Sequence, residues 1–260
     1  MTNVAREDYG IDICPKTARN ILHKSDLKVV HGIPKPDLTS EHMRKRLEFA
    51  LAHINWSVDD WKNVIFSDEV LITSRPVNAR HLIWTKSTDP LNPDLIIPTI
   101  QGGGSKIMVW SCISKFGFHD LVRLEGSVDA LKYLSILHDY LLPTTLQYFD
   151  NRPYLFQQDN AAIHTARVVN DFFQQHNINV VEWSANSPDL NIIEHVCCYL
   201  KIEIYKVHNV NNKEKLWERV QSVMQTMWSE EMTVKINQLY ESLPRRMQAV
   251  IVANGGNTKY

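Results

Sequence analysis

No apolar run in this chain approaches the ~18 to 20 residues that would cross a bilayer, and its first residues, MTNVAREDYG, contain no apolar stretch of the secretory type. These absences lead us to expect a soluble, intracellular protein with no membrane partner. Cysteine is scarce. The four cysteines, at 14, 112, 197 and 198, include no CxxC or Cys/His spacing that would hold zinc. The adjacent Cys197 and Cys198 read as a reduced pair on a helix, one side chain buried and the other less so. Low-complexity tracts and internal repeats are also missing, which excludes repeat architectures. Net charge is nearly absent: 28 basic and 29 acidic residues leave −1 at pH 7, which taken alone argues against a nucleic-acid partner.

What is present is ordinary globular material, 44% hydrophobic and 22% charged over 260 residues, enough for one large domain or two modest ones with a sizeable core. The charge is unevenly spread. Residues 1–50 carry nine basic and seven acidic side chains, residues 51–198 ten and sixteen, and residues 199–260 nine and six. An acidic centre suits the gathering of metal cations, and mildly basic flanks suit a polyanion held on either side. Chance scatter on a neutral surface gives the same small imbalances.

The first segment reads as helix, turn, helix: a short piece over Val4–Tyr9, a turn at Gly10-Ile11-Asp12, then a helix opened by Pro15 and running to about Lys24. Ala18, Ile21 and Leu22 fall on one face of it and are expected to point inward. Lys16, Arg19, Asn20, His23 and Lys24 fall on the other, where a recognition helix would carry phosphate and base contacts and an amphipathic helix a solvated basic face. Residues 25–40, with two prolines and a glycine, read as a linker. A helix from Thr39-Ser40-Glu41 to about His53 follows. The expected organisation is a partial helix-turn-helix over 1–30, a linker and helix over 31–55, and a catalytic domain with C-terminal helices over 56–260. Within the last part, strands are predicted at Asn63–Asp68, Arg80–Trp84, Lys106–Ile113, Tyr154–Asp159 and Asn179–Trp183, with a tight turn at Gly102–Gly104. Helices are predicted at Leu131–Leu142, Thr165–His176 and, after a start at Ser187–Asn191, Ile192–Lys206. Strands alternating with helices indicate an α/β fold around a mixed sheet.

Two of these strands, VIFSDE and LFQQDN, end on an acid. If they are neighbours, Asp68 and Asp159 lie side by side, repel, and raise each other's pKa unless a cation intervenes. Oxygen ligands select hard ions such as Mg²⁺ or Mn²⁺. Glu194, early in the helix after Pro188, supplies a third acid able to hold a second ion, and two ions suit phosphodiester hydrolysis and transesterification. Glu69 points away from Asp68 by strand alternation. On pattern alone these three are one set among several, because an Asp after a strand is most often a turn former.

The wording of five segments separates the alternatives. HINWSVDDWKNVIFSDE, GGGSKIMVWSCIS, LFQQDNAAIHTA, EWSANSPDLNIIEHV and LPRRMQAVIVANGGNTKY, in that order, resemble the mariner-type superfamily of DNA transposases. Thirty-four residues separate Asp159 from Glu194, an interval characteristic of the branch whose third acid is glutamate. The resemblance implies a ribonuclease H-like core with Asp68, Asp159 and Glu194 as catalytic and metal-binding residues. It implies two ions, Mg²⁺ or Mn²⁺. It also implies cut-and-paste chemistry on double-stranded DNA, with cleavage at terminal inverted repeats and joining of the freed 3′-OH to target DNA. A homodimer on DNA and a nuclear location follow from the same likeness, with Arg44-Lys45-Arg46 a weak import signal. Asn160 and His164 match residues flanking the site, and either orient Asp159 or contact a phosphate, or serve only as loop and helix-start structure. His195 is a supporting residue or a packing one. Arg245 and Arg246 belong to the C-terminal motif and would touch DNA or form a solvated pair. Trp110 and Trp183 read as core. The family carries two helix-turn-helix units where this chain resembles the second alone, so an N-terminal truncation is expected. Cys197-Cys198 stand where a tryptophan is usual. A DNA-binding remnant without activity, and a nuclease without strand transfer, are the alternatives.

Overall fold

The structure, a computed structural model, describes residues 14–24, 37–74, 105–150, 152–206, 210 and 212–260. The sequence readings at Val4–Tyr9, Gly10–Asp12, Arg80–Trp84 and Gly102–Gly104, and most of the linker reading, lie outside the described residues. The chain divides into two compact units, Met1–Asp37 and Leu38–Tyr260. In the first, helix α1 spans Pro15–Lys24. Lys16, Asn20 and Lys24 are exposed on it, and so is Ile21, which the sequence pattern places inward. The side chains of Ala18, Arg19, Leu22 and His23 lie outside the described set.

The second unit opens with α2 (Ser40–Ala52), capped by Thr39, whose hydroxyl accepts from the His42 amide. This helix, read as part of a linker segment, packs inside the larger unit against its long C-terminal helix. A short helix α3 (Val58–Trp61), capped by Ser57, leads into the sheet. Among the described residues five strands follow: β1 (Val64–Thr73), β2 (Lys106–Ser114), β3 (Gly117–Leu124), β4 (Leu155–Gln157) and β5 (Asn179–Val180). Their order in the sheet is β3-β2-β1-β4-β5, antiparallel among the first three and parallel from β1 through β4 to β5. The mixed sheet expected from the sequence is therefore present.

Alternation along β1 splits its side chains between two cores. Val64, Phe66, Val70 and Ile72 pack with α2, α7 (Ile193–Tyr205), α8 (Lys213–Met227) and α9 (Glu230–Val252). Ile65 faces the second core, with Trp110, Phe156, α4 (Ala130–Ile136), α5 (Leu142–Phe149) and α6 (Arg167–Gln175). Tyr240 ties α9 to the sheet by donating its hydroxyl to the Val64 carbonyl at 2.7 Å.

Several elements differ from the sequence reading, β4 and β5 by ending at Gln157 and Val180 rather than at Asp159 and Trp183. β1 does not stop at Asp68 but runs five residues further to Thr73. β3 lies where the sequence pattern predicts no strand. The helix read as Leu131–Leu142 is two α-helices joined by a π-helical segment, Leu137–Leu141. The amide of Leu142 bonds back to Leu137, and Pro143, next in the chain, has no amide hydrogen to continue an α-ladder. Among the described residues, no helix is long and apolar enough to cross a membrane.

Candidate active site

Asp68 sits in the middle of β1, on the face shared with Phe66 and Val70 and therefore toward α7. β1 and β4 run parallel with Phe66 opposite Gln157. Asp159 follows two residues beyond that last paired position. β4 itself ends at Gln157, so Asp159 lies on the loop beyond it. Glu194 is the second residue of α7. All three acids line one cavity of about 350 Å³, walled also by Asn160, Trp183, the segment Ser184–Pro188 and Asn191.

The electrostatics record this crowding. Burial, then the nearby charges of Glu194, Glu69 and Asp159, push the Asp68 carboxyl up to about 8. Its oxygens are each held by one donor: the Glu69 amide to Oδ1 at 2.8 Å and the Asn191 amide nitrogen Nδ2 to Oδ2 at 3.0 Å. Asp159 goes the other way. Its Oδ1 contacts His164 Nδ1 at 2.5 Å and accepts from the Ala161 amide at 2.9 Å, and the His164 bond foremost draws its pKa down. Burial would lower the His164 pKa, but the Asp159 and Glu69 carboxylates outweigh it and raise it to about 9. The imidazolium thus spans two acids: Glu69 Oε1 stands 3.2 Å from His164 Nε2, a close charge contact without hydrogen-bond alignment. The ring also packs on Tyr133, at 4.2 Å between centroids. The Tyr133 hydroxyl donates to Gln158 Oε1 at 2.7 Å, and Gln158 Nε2 to the His164 carbonyl at 3.1 Å. These bonds staple the Asp159–His164 loop, which has no regular structure of its own.

Asn160 donates Nδ2 to the Trp183 carbonyl at 2.7 Å, joining the loop after β4 to the loop after β5. His195 follows Glu194 on α7 and is half-buried. Trp110 and Trp183 are core residues, Cys197 is buried and Cys198 exposed. Two readings need correction. Arg246 is only 1% exposed, so it cannot form a solvated pair or meet DNA from this position; Arg245 beside it is exposed. The Arg246 guanidinium donates to the Asp189 carbonyl at 2.5 Å and to Ser242, and lies 4.8 Å from the Tyr260 ring. Arg46 is likewise fully buried, which removes it from any basic import signal. Asn191, by sequence only part of a helix start, lines the cavity and donates to Asp68, a placement that sequence reasoning misses. The Asn191–Asp68 bond spans 123 residues and leaves no local trace in the sequence.

The donor set fits a hard divalent cation: carboxylate oxygens around one cavity, with a half-buried Asp68 whose ionisation the neighbouring acids oppose. Among the described residues, no three acidic, imidazole or thiol groups already stand as a metal cage. Asp159 Oδ1 is turned onto His164. Cation binding would use the remaining oxygens, or exchange these donors for the ion.

A family model described as DDE superfamily endonuclease matches residues 63–217, and a helix-turn-helix model described as transposase matches residues 1–55. The chain is 31% identical over 245 residues to the transposable element Tcb1 transposase of Caenorhabditis briggsae, spanning 93% of this chain and 88% of that one. It is 30% identical over 255 residues to the transposable element Tc1 transposase of Caenorhabditis elegans, spanning 94% and 88%. In fold it is similar to the Mos1 transposase in a paired-end complex with the left transposon end, with a TM-score of 0.79 at 18% identity over 100% of this chain and 76% of that one. The catalytic domain of Mos1 transposase, solved with raltegravir and Mg, gives a TM-score of 0.66 at 18% identity over 86% and 100%. The sheet order, the helices on both of its faces and these likenesses agree on a ribonuclease H-like core, and the chain belongs to the DDE superfamily of endonucleases, among the DNA transposases of the Tc1/mariner type.

Proposed function

We propose that Asp68, Asp159 and Glu194 are the metal-binding catalytic acids of this cut-and-paste transposase, acting with two divalent cations, Mg²⁺ or Mn²⁺. The observation that carries this reading is that the three acids line one cavity, where burial and then the charges of Glu194, Glu69 and Asp159 push the Asp68 carboxyl up to about 8. Bound there, such cations activate the attacking oxygen and stabilise the leaving one in phosphodiester cleavage and transfer. Structures of Mos1 complexes with Mn and with Mg support the choice of ions.

The chain's own side chains prepare the site. Asn191 and the Glu69 amide hold Asp68, and His164 holds Asp159. Trp183, with 8% of its surface exposed, walls the cavity rather than offering a stacking face. Lys16, Asn20 and Lys24 on α1, with Arg19 beside them in sequence, and Arg245 on α9 are assigned to DNA contact, with phosphates their first targets. The DNA partners are the terminal inverted repeats of the element and the target duplex. The protein works as a homodimer that brings two ends together, in the nucleus where that DNA lies.

The test is cleavage and strand transfer on DNA carrying the element's terminal inverted repeats, with Mg²⁺ or Mn²⁺, comparing wild type with Asp159→Asn. Wild type is expected to cut and join, and the variant to lose activity by several orders of magnitude. Equal cutting by both would remove the acids from the mechanism. Binding by both without cutting by either would favour a silent, host-adapted remnant.

A further inference from the structure

Resting on the reading of Asp68 as the first metal-binding acid, we infer that Arg46, Asp189 and Thr258 are positioning residues that set Asp68 through Asn191. None of the three lines the cavity. Asn191 does, and its Nδ2 holds Asp68 Oδ2. Among the described residues that amide has no second anchor, because Asn191 Oδ1 is buried with no hydrogen-bond partner among them. Its placement therefore depends on the backbone that carries it. This backbone is the turn Ser187–Asn191, closed by bonds from the Leu190 and Asn191 amides to the Ser187 carbonyl at 3.1 and 3.3 Å. The helix that follows has no side-chain cap to fix its start.

Rigidity comes from remote segments that converge on Asp189, two residues before Asn191 and five before Glu194. Arg46 on α2 grips the Asp189 carboxylate with both nitrogens, Nη1 to Oδ1 and Nη2 to Oδ2, each at 2.8 Å. A bidentate pair of this kind fixes angle as well as distance. Thr258 adds its hydroxyl to Oδ2 at 2.7 Å, and Arg246 fixes the Asp189 carbonyl. Arg46 extends the clamp along the turn, donating to the Asn186 carbonyl and Ser187 Oγ, both at 3.0 Å. Its Nε and Nη2 reach the carbonyls of Gly255 and Gly256 at 2.8 and 3.2 Å. Gly255 is needed for this approach. Its φ is +80°, and a Cβ there would collide with the Met43 carbonyl of α2. The C-terminal segment is thus built into the wall behind the cavity, and its hydrogen bonds are transmitted through the turn to the first acid.

The experiment measures Mn²⁺ binding by the full-length protein, from the free-ion electron paramagnetic resonance signal, alongside melting temperature and circular dichroism. The variants are Asn191→Ala, Thr258→Val, Thr258→Ser, the Asn191→Ala/Thr258→Val double, and Asp68→Asn. Removing a group that orients a metal ligand weakens binding about 10–100-fold, the loss expected for Asn191→Ala. Thr258→Val, one hydrogen bond further out, is expected to weaken it roughly threefold or more, with an unchanged circular dichroism spectrum, and Thr258→Ser to restore it. In the double variant Thr258→Val should add nothing further, because its effect runs through Asn191. A wild-type affinity in both Asn191→Ala and Thr258→Val, with Asp68→Asn weakened, would overturn the positioning role and leave the first acid in place. The positioning role also fails if the Thr258→Val loss persists undiminished in the Asn191→Ala background. Undiminished binding by Asp68→Asn would overturn the reading of the first acid, and the positioning role with it.

Discussion

Replacing Asp68 with asparagine is expected to stabilise the cation-free protein while abolishing cleavage. The folded carboxyl titrates at about 8, because of burial and then of Glu194, Glu69 and Asp159, whereas the unfolded chain ionises near pH ~3.9. The sign follows from proton binding. The folded state holds this proton more tightly, so the contribution of Asp68 to stability is greatest below pH ~4, falls as pH rises, and levels off above about 8. At pH 7 the unfolded carboxyl lies about three pH units above its pKa, which at 1.36 kcal/mol per unit is a penalty of roughly 4 kcal/mol. Asparagine carries no charge but offers one oxygen to two donors, the Glu69 amide and Asn191 Nδ2, and losing one such bond costs about 1 kcal/mol. The net gain of roughly 3 kcal/mol corresponds to a rise in melting temperature of about 6–12 °C for a domain of this size. The assay is calorimetric melting of both proteins in EDTA at pH 4, 7 and 8.5. The variant should match wild type near pH 4 and exceed it increasingly toward pH 8.5. Adding Mg²⁺ should raise the melting temperature of wild type more than that of the variant. No gain at pH 8.5, or a gain independent of pH, would refute the argument that the three acids crowd one another.

Arg46→Met strands a buried Asp189 carboxylate and should cost about 3–5 kcal/mol, read from the urea midpoint by tryptophan fluorescence; a loss under ~1 kcal/mol would contradict the buried pair. His119 is buried, with Nε2 2.8 Å from Ser114 Oγ, and burial lowers its pKa to about 4. The unfolded chain therefore takes up that proton first. Stability from neutral His119 should be complete above pH ~6.5 and fall by up to about 3 kcal/mol as pH drops toward 4, a slope that His119→Gln should remove from the pH dependence of unfolding. Gly255→Ala combines a positive φ with the collision against the Met43 carbonyl and should cost more than about 1 kcal/mol; an unchanged melting temperature would mean that the segment does not pack as described.

What the sequence made legible was local or literal. Alternation in VIFSDE placed Glu69 opposite to Asp68, and the structure has Glu69 facing His164 while Asp68 faces the cavity with Asn191. Two apolar runs reaching an acid put Asp68 on β1 and Asp159 just beyond the end of its neighbour β4, both lining the cavity. The wording of the segments selected three acids from 29. The readings that missed have physical reasons. Asp68-Glu69 looks like the end of a strand, yet β1 continues because each acid has a place to go, one into the cavity and one to His164. β3, GFHDLVRL, is half-buried through its middle and shows no clean period of two.

The buried arginines carry the larger lesson. Arg46 lies in the run Arg44-Lys45-Arg46 and Arg246 follows Arg245, so each reads as one half of an exposed basic pair, the usual place for arginine. Both are instead buried at the same aspartate, from 143 and 57 residues away. No periodicity encodes such a pairing, because it exists only once α2 and α9 have packed. The acids of the site can therefore be read from short words, while their alignment depends on contacts the words do not contain. A copy of this element could keep Asp68, Asp159 and Glu194 intact and still lose the site by a change at Arg46 or Asp189. An intact triad is for that reason a weaker sign of activity than an intact triad with its clamp, and comparing Mn²⁺ affinity between Arg46→Lys and wild type would separate the two: lysine keeps the charge but cannot reproduce the bidentate grip, so a folded Arg46→Lys protein with weakened Mn²⁺ binding would show that alignment, not charge, is what the clamp supplies.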